Sequence, residues 1–185
     1  MPSLATNQRY HSAAIILHWV MAIGVIGMLS TGLYMVNVDM PRAEQFKLYQ
    51  WHKAAGVIML WAIVLRLIVR ALHQPPALPT EIDNSNKQLA KIGHITLYAA
   101  LIIMPVTGWF MVSASPFGLP TFVFVDWVKW PHIGFVERNK EVEFVAKTIH
   151  WTIAYAMVAL VIGHLSALVW HKVKHRVNLL NRMWW

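Results

Sequence analysis

The sequence predicts an all-α integral membrane protein, a single four-helix bundle over residues 1–185. Of these residues 57% are hydrophobic and only 13% are charged, which is typical of a membrane protein and not of a soluble domain. Residues 10–38, 92–125 and 148–171 contain no charged side chain. Each of these stretches exceeds the roughly 20 residues that a spanning helix needs. A fourth, less uniform apolar stretch brings the expected number of helices to four.

The four helices are expected at about His11–Met35, Tyr49–Val69, Leu89–Val112 and Glu143–His171. The second contains Lys53, Arg66 and Arg70 near its ends, where long basic side chains can reach the membrane interface. The third contains Pro105, which removes a helical hydrogen bond and predicts a kink. No internal repeat is evident from the sequence.

Polar or proline-rich connections separate these helices. Residues 36–48 are expected to be polar and extracytoplasmic, and prolines from Pro75 to Pro79 lead into a hydrophilic loop. Residues 113–142 form the longest connection, and their aromatic side chains predict that they lie on the membrane surface or cap the bundle.

The basic residues give the expected topology. Four spans place both chain ends on one side, with nine Lys and Arg residues against seven on the other side. Six acids share that other side: Asp39, Glu44, Asp126, Glu137, Glu141 and Glu143. Because Lys and Arg are enriched in cytoplasmic loops, both termini are expected in the cytoplasm. The net charge of +8 then indicates contact with anionic membrane lipids and no nucleic-acid partner.

Four histidines lie within the predicted spans: His18, His52, His150 and His164. His150 and His164 are 14 residues apart, which on a helix is a rise of about 21 Å and a rotation of about 1400°, close to four full turns. Both side chains therefore point the same way at two depths. An ionisable side chain within a membrane indicates a functional site.

Helix direction sorts these histidines into two pairs of matched depth. His18 and His164 lie towards the side of the chain ends, and His52 and His150 towards the opposite side. A six-coordinate b-type haem takes one imidazole from each face, so two haems are predicted, with these four histidines as iron ligands. Buried hydrogen-bonded histidines are the alternative. A zinc or copper site fits less well because its ligands converge on one point. The absence of cysteine excludes covalent c-type attachment.

The chain resembles the bacterial cytochrome b561 family from about Arg9 to Asn181. The resemblance is carried by the segments Ile16–Trp19, Trp51–Gly56, Arg66–Arg70, Gly93–Tyr98, Ile149–Trp151 and Gly163–His164. It implies a four-helix bundle in the bacterial inner membrane that holds two b haems through histidines of the first, second and fourth helices. One branch, similar in size and standalone form, oxidises superoxide and reduces ubiquinone. Other relatives connect hydrogenases or similar dehydrogenases to quinone.

Several further residues are candidates for cofactor binding or catalysis. Arg66 and Arg70 share a helix face and would pair with propionates of the inner haem, or simply lie at the interface as arginines that favour the cytoplasmic side. His94 could bind quinone, relay protons, compete as an iron ligand, support an iron ligand without binding the iron itself, or make a structural hydrogen bond.

Lys91 and His171 are candidates for the quinone headgroup, with an exposed basic anchor as the alternative for His171. Outside, Arg42, Lys47 and Lys53 could steer an anion such as superoxide.

Three functions remain open on these grounds. The first is a dihaem oxidoreductase that takes electrons from superoxide and passes them to ubiquinone. The second is a non-catalytic cytochrome b subunit that docks a partner dehydrogenase, with residues 113–142 as the docking surface. The third is a haem-free helical membrane scaffold.

Overall fold

The computed structural model describes residues 9–124 and 127–185 and confirms an all-α membrane bundle. Its long helices are α1 (Ser12–Asn37), α2 (Arg42–Leu72), α3 (Asn84–Ala114) and α4 (Lys140–Lys174). All four are long and apolar enough to cross a membrane. The polar residues before Arg9 and the acid Asp126, which entered the charge assignment, lie outside the described residues.

Three of the four helices, α2, α3 and α4, begin earlier than the apolar pattern predicts. α2 starts at Arg42, so the expectation of a non-helical connection through Leu48 is wrong in its second half. α3 starts at Asn84, because the side chain of Asp83 accepts the backbone N–H of Asn86 at 2.7 Å and caps the helix. That hydrogen bond holds the pKa of the Asp83 carboxyl below its ordinary value. Apolar patterning locates the part of a helix in lipid and misses its polar ends.

The bundle consists of two helical hairpins. α1 packs mainly on α2 and α3 packs mainly on α4, while α2 and α3 make a smaller contact between the hairpins. Few side chains are buried within the protein, among them Met21, Ile63 and Met157. Most other apolar side chains point outward, as expected where lipid and not water surrounds the helices.

The two hairpins repeat one sequence pattern, so the expectation of no internal repeat is wrong. Residues 28–36 read MLSTGLYMV and residues 104–112 read MPVTGWFMV. In the same register, His18 of α1 matches His94 of α3. Three positions of α2 match three of α4 in turn: His52 with His150, Met59 with Met157, and Arg66 with His164. Both hairpins run in the same direction, which makes them parallel repeats about an axis along the membrane normal.

Between α3 and α4 the second hairpin carries a small β-hairpin that the first lacks. Strands β1 (Thr121–Val123) and β2 (Val128–Trp130) pair antiparallel, and β1 packs against α2. Lys53 donates a hydrogen bond to the carbonyl of Pro120 at 3.1 Å, and the Trp130 ring meets Trp61 edge-on at 6.2 Å. The long connection therefore packs against the bundle at the end that we call the outer end.

The C-terminal residues fold back under the opposite end, which we call the inner end. A short 3-10 helix, Leu179–Met183, places Arg182 so that it donates to the carbonyls of Pro76 and Ala77 at 2.8 and 2.7 Å. Trp19 of α1 donates to the carbonyl of Met183 at 2.7 Å. Burial lowers the pKa of the Arg182 guanidinium from its ordinary value. These hydrogen bonds connect α1, the segment after α2 and the C-terminal residues at the inner end.

Candidate functional site

Two pairs of histidines face each other between the hairpins. In the inner pair, the ring centroids of His18 and His164 are 6.4 Å apart. In the outer pair, those of His52 and His150 are also 6.4 Å apart. Each pair takes one histidine from each hairpin. The two pairs are the ones that helix direction predicts.

The spacing of both pairs fits one metal ion between two imidazoles. A metal–nitrogen bond is about 2.0–2.1 Å long and a ring nitrogen lies about 1.15 Å from the ring centre, so two coaxial imidazoles on one ion have centroids about 6.4 Å apart. Side chains in direct hydrogen-bond contact would lie closer together. The distance therefore fits two imidazoles that would hold one haem iron between them.

Two threonines orient the outer pair. Thr31 and Thr107 each donate a hydroxyl proton to a carbonyl one turn back, of Gly27 and Ile103, at 2.8 Å in both cases. Their oxygen lone pairs then face the Nδ1 atoms of the outer histidines. The distance is 3.4 Å to His52 and 3.1 Å to His150.

The Nδ1 of His150 also lies 3.0 Å from the carbonyl of Met104, which can only accept. Nδ1 therefore carries the proton in His150, and Nε2 keeps its lone pair. Donation to Thr31 gives His52 the same tautomer. Iron binding through Nε2 requires this tautomer, and metal-binding histidines usually have such a second hydrogen bond.

Two glycines make room for the outer rings. A Cβ on Gly32 would lie 3.3 Å from Cε1 of His52, and a Cβ on Gly108 would lie 3.3 Å from Cε1 of His150. Each glycine directly follows the threonine that orients the same ring. A mainly apolar cavity of about 120 Å³, lined by both outer histidines and by Gly108, Met104 and Trp130, adjoins them. The spacing, the tautomer and the ring clearance of the outer histidines therefore fit the iron of the haem that the resemblance implies.

An arginine and not a threonine contacts the inner pair. Arg66 donates from Nη1 to the carbonyl of Ala14 at 3.2 Å, and its Nη2 lies 3.3 Å from Nδ1 of His18. Because a guanidinium can only donate, Nδ1 of His18 is the acceptor in this contact. Iron binding through Nε2 would place a proton on Nδ1. Arg66 must then release His18, and it becomes available to an anionic group such as a propionate.

Arg66 shares a cluster with Arg70 at the inner end. The guanidinium carbons lie 5.9 Å and 5.3 Å from the centroid of the Tyr98 ring, which holds both side chains on the gap between the hairpins. The inner pair fits one metal ion in its spacing, and these two cations fit the anionic edge of a haem.

His94 is a third histidine of the inner layer. Its ring centroid lies 5.9 Å from that of His164, with the ring planes nearly perpendicular. Its Nδ1 donates to the carbonyl of Ala90 at 2.6 Å. The sequence places His94 at this depth, and the structure brings it against His164.

The remaining predicted residues are spread over both ends. Lys53 is half-buried and tied to the β-hairpin, whereas Arg42, Lys47 and Lys91 are exposed. His171 is only 8% exposed, and its Nδ1 has no hydrogen-bond partner within residues 9–124 and 127–185. Burial argues against an exposed basic anchor at His171. Its ring lies 5.3 Å from that of His175, under the C-terminal segment.

Sequence reasoning missed Thr31, Gly32, Thr107, Gly108 and the carbonyl of Met104. The Thr-Gly pair recurs within the same nine-residue pattern on α1 and α3, and this recurrence could have identified them. The recurrence is a weak signal by itself because threonine and glycine are common in membrane helices, where they also allow close packing.

Comparison with known proteins identifies the family. The family model described as prokaryotic cytochrome b561 matches residues 9–185. Cytochrome b561 homolog 2 of Escherichia coli (strain K12) is 27% identical over 178 residues, which cover 96% of this chain and 92% of that protein. Cytochrome b561 homolog 1 of the same organism is 24% identical over 186 residues, covering 95% and 96%. The chain therefore belongs to the prokaryotic cytochrome b561 family of membrane electron-transfer proteins, and b-type haem is the cofactor that this membership implies.

Proposed function

We propose that this protein is a superoxide:ubiquinone oxidoreductase with two b-type haems. His52 and His150 would bind the iron of an outer haem, and His18 and His164 that of an inner haem. The single observation that carries the two haems of this proposal is the pair of 6.4 Å histidine spacings, stacked at two depths between the hairpins. Bound haem supplies one-electron redox chemistry.

The proposed reaction balances over two turnovers. Two superoxide anions each lose one electron and leave as dioxygen. One ubiquinone gains both electrons and two protons to become ubiquinol. The membrane would be the bacterial inner membrane, with superoxide at its periplasmic face and both chain termini in the cytoplasm.

At the outer end, the protein's task is to attract an anion and hold two imidazoles still. Thr31, Thr107 and Met104 keep the outer rings in the iron-binding tautomer. Lys53 directly follows His52 and is fixed by Pro120, so its charge stays beside the outer pair. We assign superoxide steering to Lys53, with Arg42 and Lys47 as more distant exposed cations.

At the inner end, the task is to bind propionates and a quinone headgroup. Arg66 and Arg70 are assigned to the propionates of the inner haem, since guanidinium binds carboxylate in a bidentate manner. The buried Nδ1 of His171, without a partner in the described part of the chain, is assigned to a quinone carbonyl, with Lys91 nearby in depth. Histidine can also deliver a proton to a reduced quinone.

Haem reduction by superoxide tests this proposal. The purified, haem-loaded protein is mixed with superoxide in a stopped-flow spectrometer, and the reduced haem band is followed with and without ubiquinone. Lys53→Ala should slow haem reduction about 2- to 10-fold, as a part of the 10- to 1000-fold that steering can supply, and the loss should shrink with added salt. Lys172→Ala, an exposed lysine at the inner end, is the matched control and should leave the rate unchanged.

Absence of haem reduction by superoxide in wild-type protein that carries two haems would refute the superoxide reaction. Equal rates for wild type and Lys53→Ala would refute the steering role of Lys53 alone.

One observation favours a second function, that of a cytochrome b subunit which receives electrons from a partner dehydrogenase or hydrogenase. The connection around the β-hairpin exposes Trp127, Phe135 and Phe117 by 87%, 84% and 79%. Exposed aromatic side chains near a membrane interface fit either lipid or a docked protein. Reduction by a dehydrogenase that disappears in Trp127→Ser with Phe135→Ser, without loss of haem, would favour docking over the superoxide reaction.

A further inference from the structure

We infer that His94 is a positioning residue that accepts a hydrogen bond from His164 and so orients this histidine on the inner iron. This inference rests on the proposed function, since it assumes an inner haem between His18 and His164. His94 itself would not bind the iron.

His164 needs an acceptor, which the two outer histidines already have in the hydroxyl groups of Thr31 and Thr107. Within residues 9–124 and 127–185, the Nδ1 atoms of His18, His52 and His150 each lie within 3.4 Å of a polar side chain, and no hydrogen-bond partner of His164 is found. Once His164 binds iron through Nε2, its Nδ1 carries a proton. Metal-binding histidines almost always donate that proton to a carboxylate, carbonyl or water.

His94 offers the acceptor that His164 lacks. The Nδ1 of His94 donates to the carbonyl of Ala90 at 2.6 Å, so in neutral His94 the lone pair lies on Nε2. The two ring centroids are 5.9 Å apart and the planes are at 87°. The rings are therefore in edge contact and not yet hydrogen-bonded, and the inference requires a rotation of the exposed His94 side chain that turns Nε2 towards Nδ1 of His164.

The internal repeat supports the same pairing. His94 occupies the position of His18, and His164 occupies that of Arg66. In the first hairpin these two positions are in contact, with Arg66 Nη2 3.3 Å from His18 Nδ1. The ring contact between His94 and His164 is therefore the second copy of a contact between equivalent positions of the two hairpins.

The difference from the outer layer lies in the acceptor. The outer histidines donate to hydroxyl and carbonyl oxygens, whereas His164 would donate to an imidazole nitrogen, a stronger base. A stronger acceptor makes the bound imidazole a better electron donor to iron and lowers the reduction potential. His94 therefore adjusts the potential of the inner haem alone.

His94→Leu and His94→Gln, studied in the full haem-loaded protein, test the inference. The midpoint potentials of both haems are measured by redox titration, and the axial ligand environment by low-temperature EPR. His94→Leu should keep two low-spin haems, raise the inner potential, leave the outer potential unchanged and speed loss of the inner haem about 10- to 100-fold. His94→Gln, whose amide oxygen can accept, should recover part of the shift.

Two controls assign the signals. His164→Ala keeps the outer haem only and identifies its potential, and Thr31→Val removes the acceptor from His52, which should move the outer potential and not the inner one. If His94→Leu does not fold, His94→Ala carries the same expectation.

An unchanged inner potential and EPR signal in His94→Leu would overturn the inference. It would also be overturned if His94→Leu lost the inner haem while His18→Ala retained it in a low-spin state, because His94 would then be the iron ligand. A wild-type protein with fewer than two haems would instead refute the proposed function itself.

Discussion

The outer and inner histidine pairs have the same spacing and different support. In the outer pair, each ring rests on a Thr-Gly unit of the neighbouring helix, Thr31-Gly32 for His52 and Thr107-Gly108 for His150. In the inner pair, one ring contacts a cation and the other contacts a third histidine. The outer half of the bundle keeps the symmetry of the repeat, and the inner half does not.

This difference teaches that two chemically similar sites can be made unequal within one small scaffold. Symmetric support gives the outer pair two hydroxyl acceptors and a fixed tautomer. Unequal support gives the inner pair charge and a basic neighbour, which are the elements that change a reduction potential and bind an anionic edge. Such a difference lets the two sites have different reduction potentials.

Removing one histidine of a pair has the largest expected effect. His52→Ala or His150→Ala should leave one haem per protein, the inner one, and His18→Ala or His164→Ala should leave the outer one, because a six-coordinate site loses an axial ligand. Haem quantification with reduced-minus-oxidised spectra measures this. His73→Ala, outside both pairs, should keep two haems. Retention of both haems in His150→Ala would show that His150 does not bind the outer haem.

Crowding the outer ring has an intermediate effect. Gly32→Ala places a Cβ 3.3 Å from His52, and overpacking of this kind costs about 1–3 kcal/mol, so occupancy of the outer haem should fall and that of the inner haem should not. Gly27 on the same helix has open space around it, so Gly27→Ala should raise the free energy of unfolding by up to about 1 kcal/mol. Equal haem loss in both variants would show that Gly32 has no special role.

Removing a hydroxyl acceptor has the smallest effect. It also shows which of the two outer histidines depends more on its threonine for holding the haem. Thr31→Val removes the acceptor of His52, whereas Thr107→Val leaves His150 its bond to the Met104 carbonyl at 3.0 Å. A hydrogen bond contributes about 0.5–1.5 kcal/mol, so Thr31→Val should release the outer haem faster than Thr107→Val does. Haem-transfer rates to an apoprotein acceptor measure this. The opposite order would contradict the assigned network.

Helix number, helix direction and the two histidine pairs could be predicted from sequence because lipid imposes length and because a 14-residue spacing fixes one helix face. The β-hairpin and the folded-back C-terminus could not. Their contacts, such as Lys53 with Pro120 and Arg182 with Pro76, join residues far apart in sequence through single carbonyl groups. No local pattern encodes such a partner.

The internal repeat is difficult to detect in the sequence for a different reason. The insertion of the β-hairpin makes the offset between matching residues larger for α2 and α4 than for α1 and α3, so no single period runs through the chain. The nine-residue pattern aligns α1 with α3, and the contacts of Thr31 and Thr107 with equivalent histidines extend the alignment to α2 and α4.

The repeat has a consequence for building smaller electron carriers. Two copies of the first hairpin could associate in the way that the two hairpins of this bundle do. His52 would then lie opposite its own copy, and Arg66 would occupy the position of His164. Such a homodimer could bind one haem at its outer layer. Two copies of the second hairpin would carry histidine at both layers, with His150 opposite its own copy and His164 opposite His94 of the other copy, at the position of His18. A chain about half this length thus contains the ligands for a symmetric two-centre redox protein.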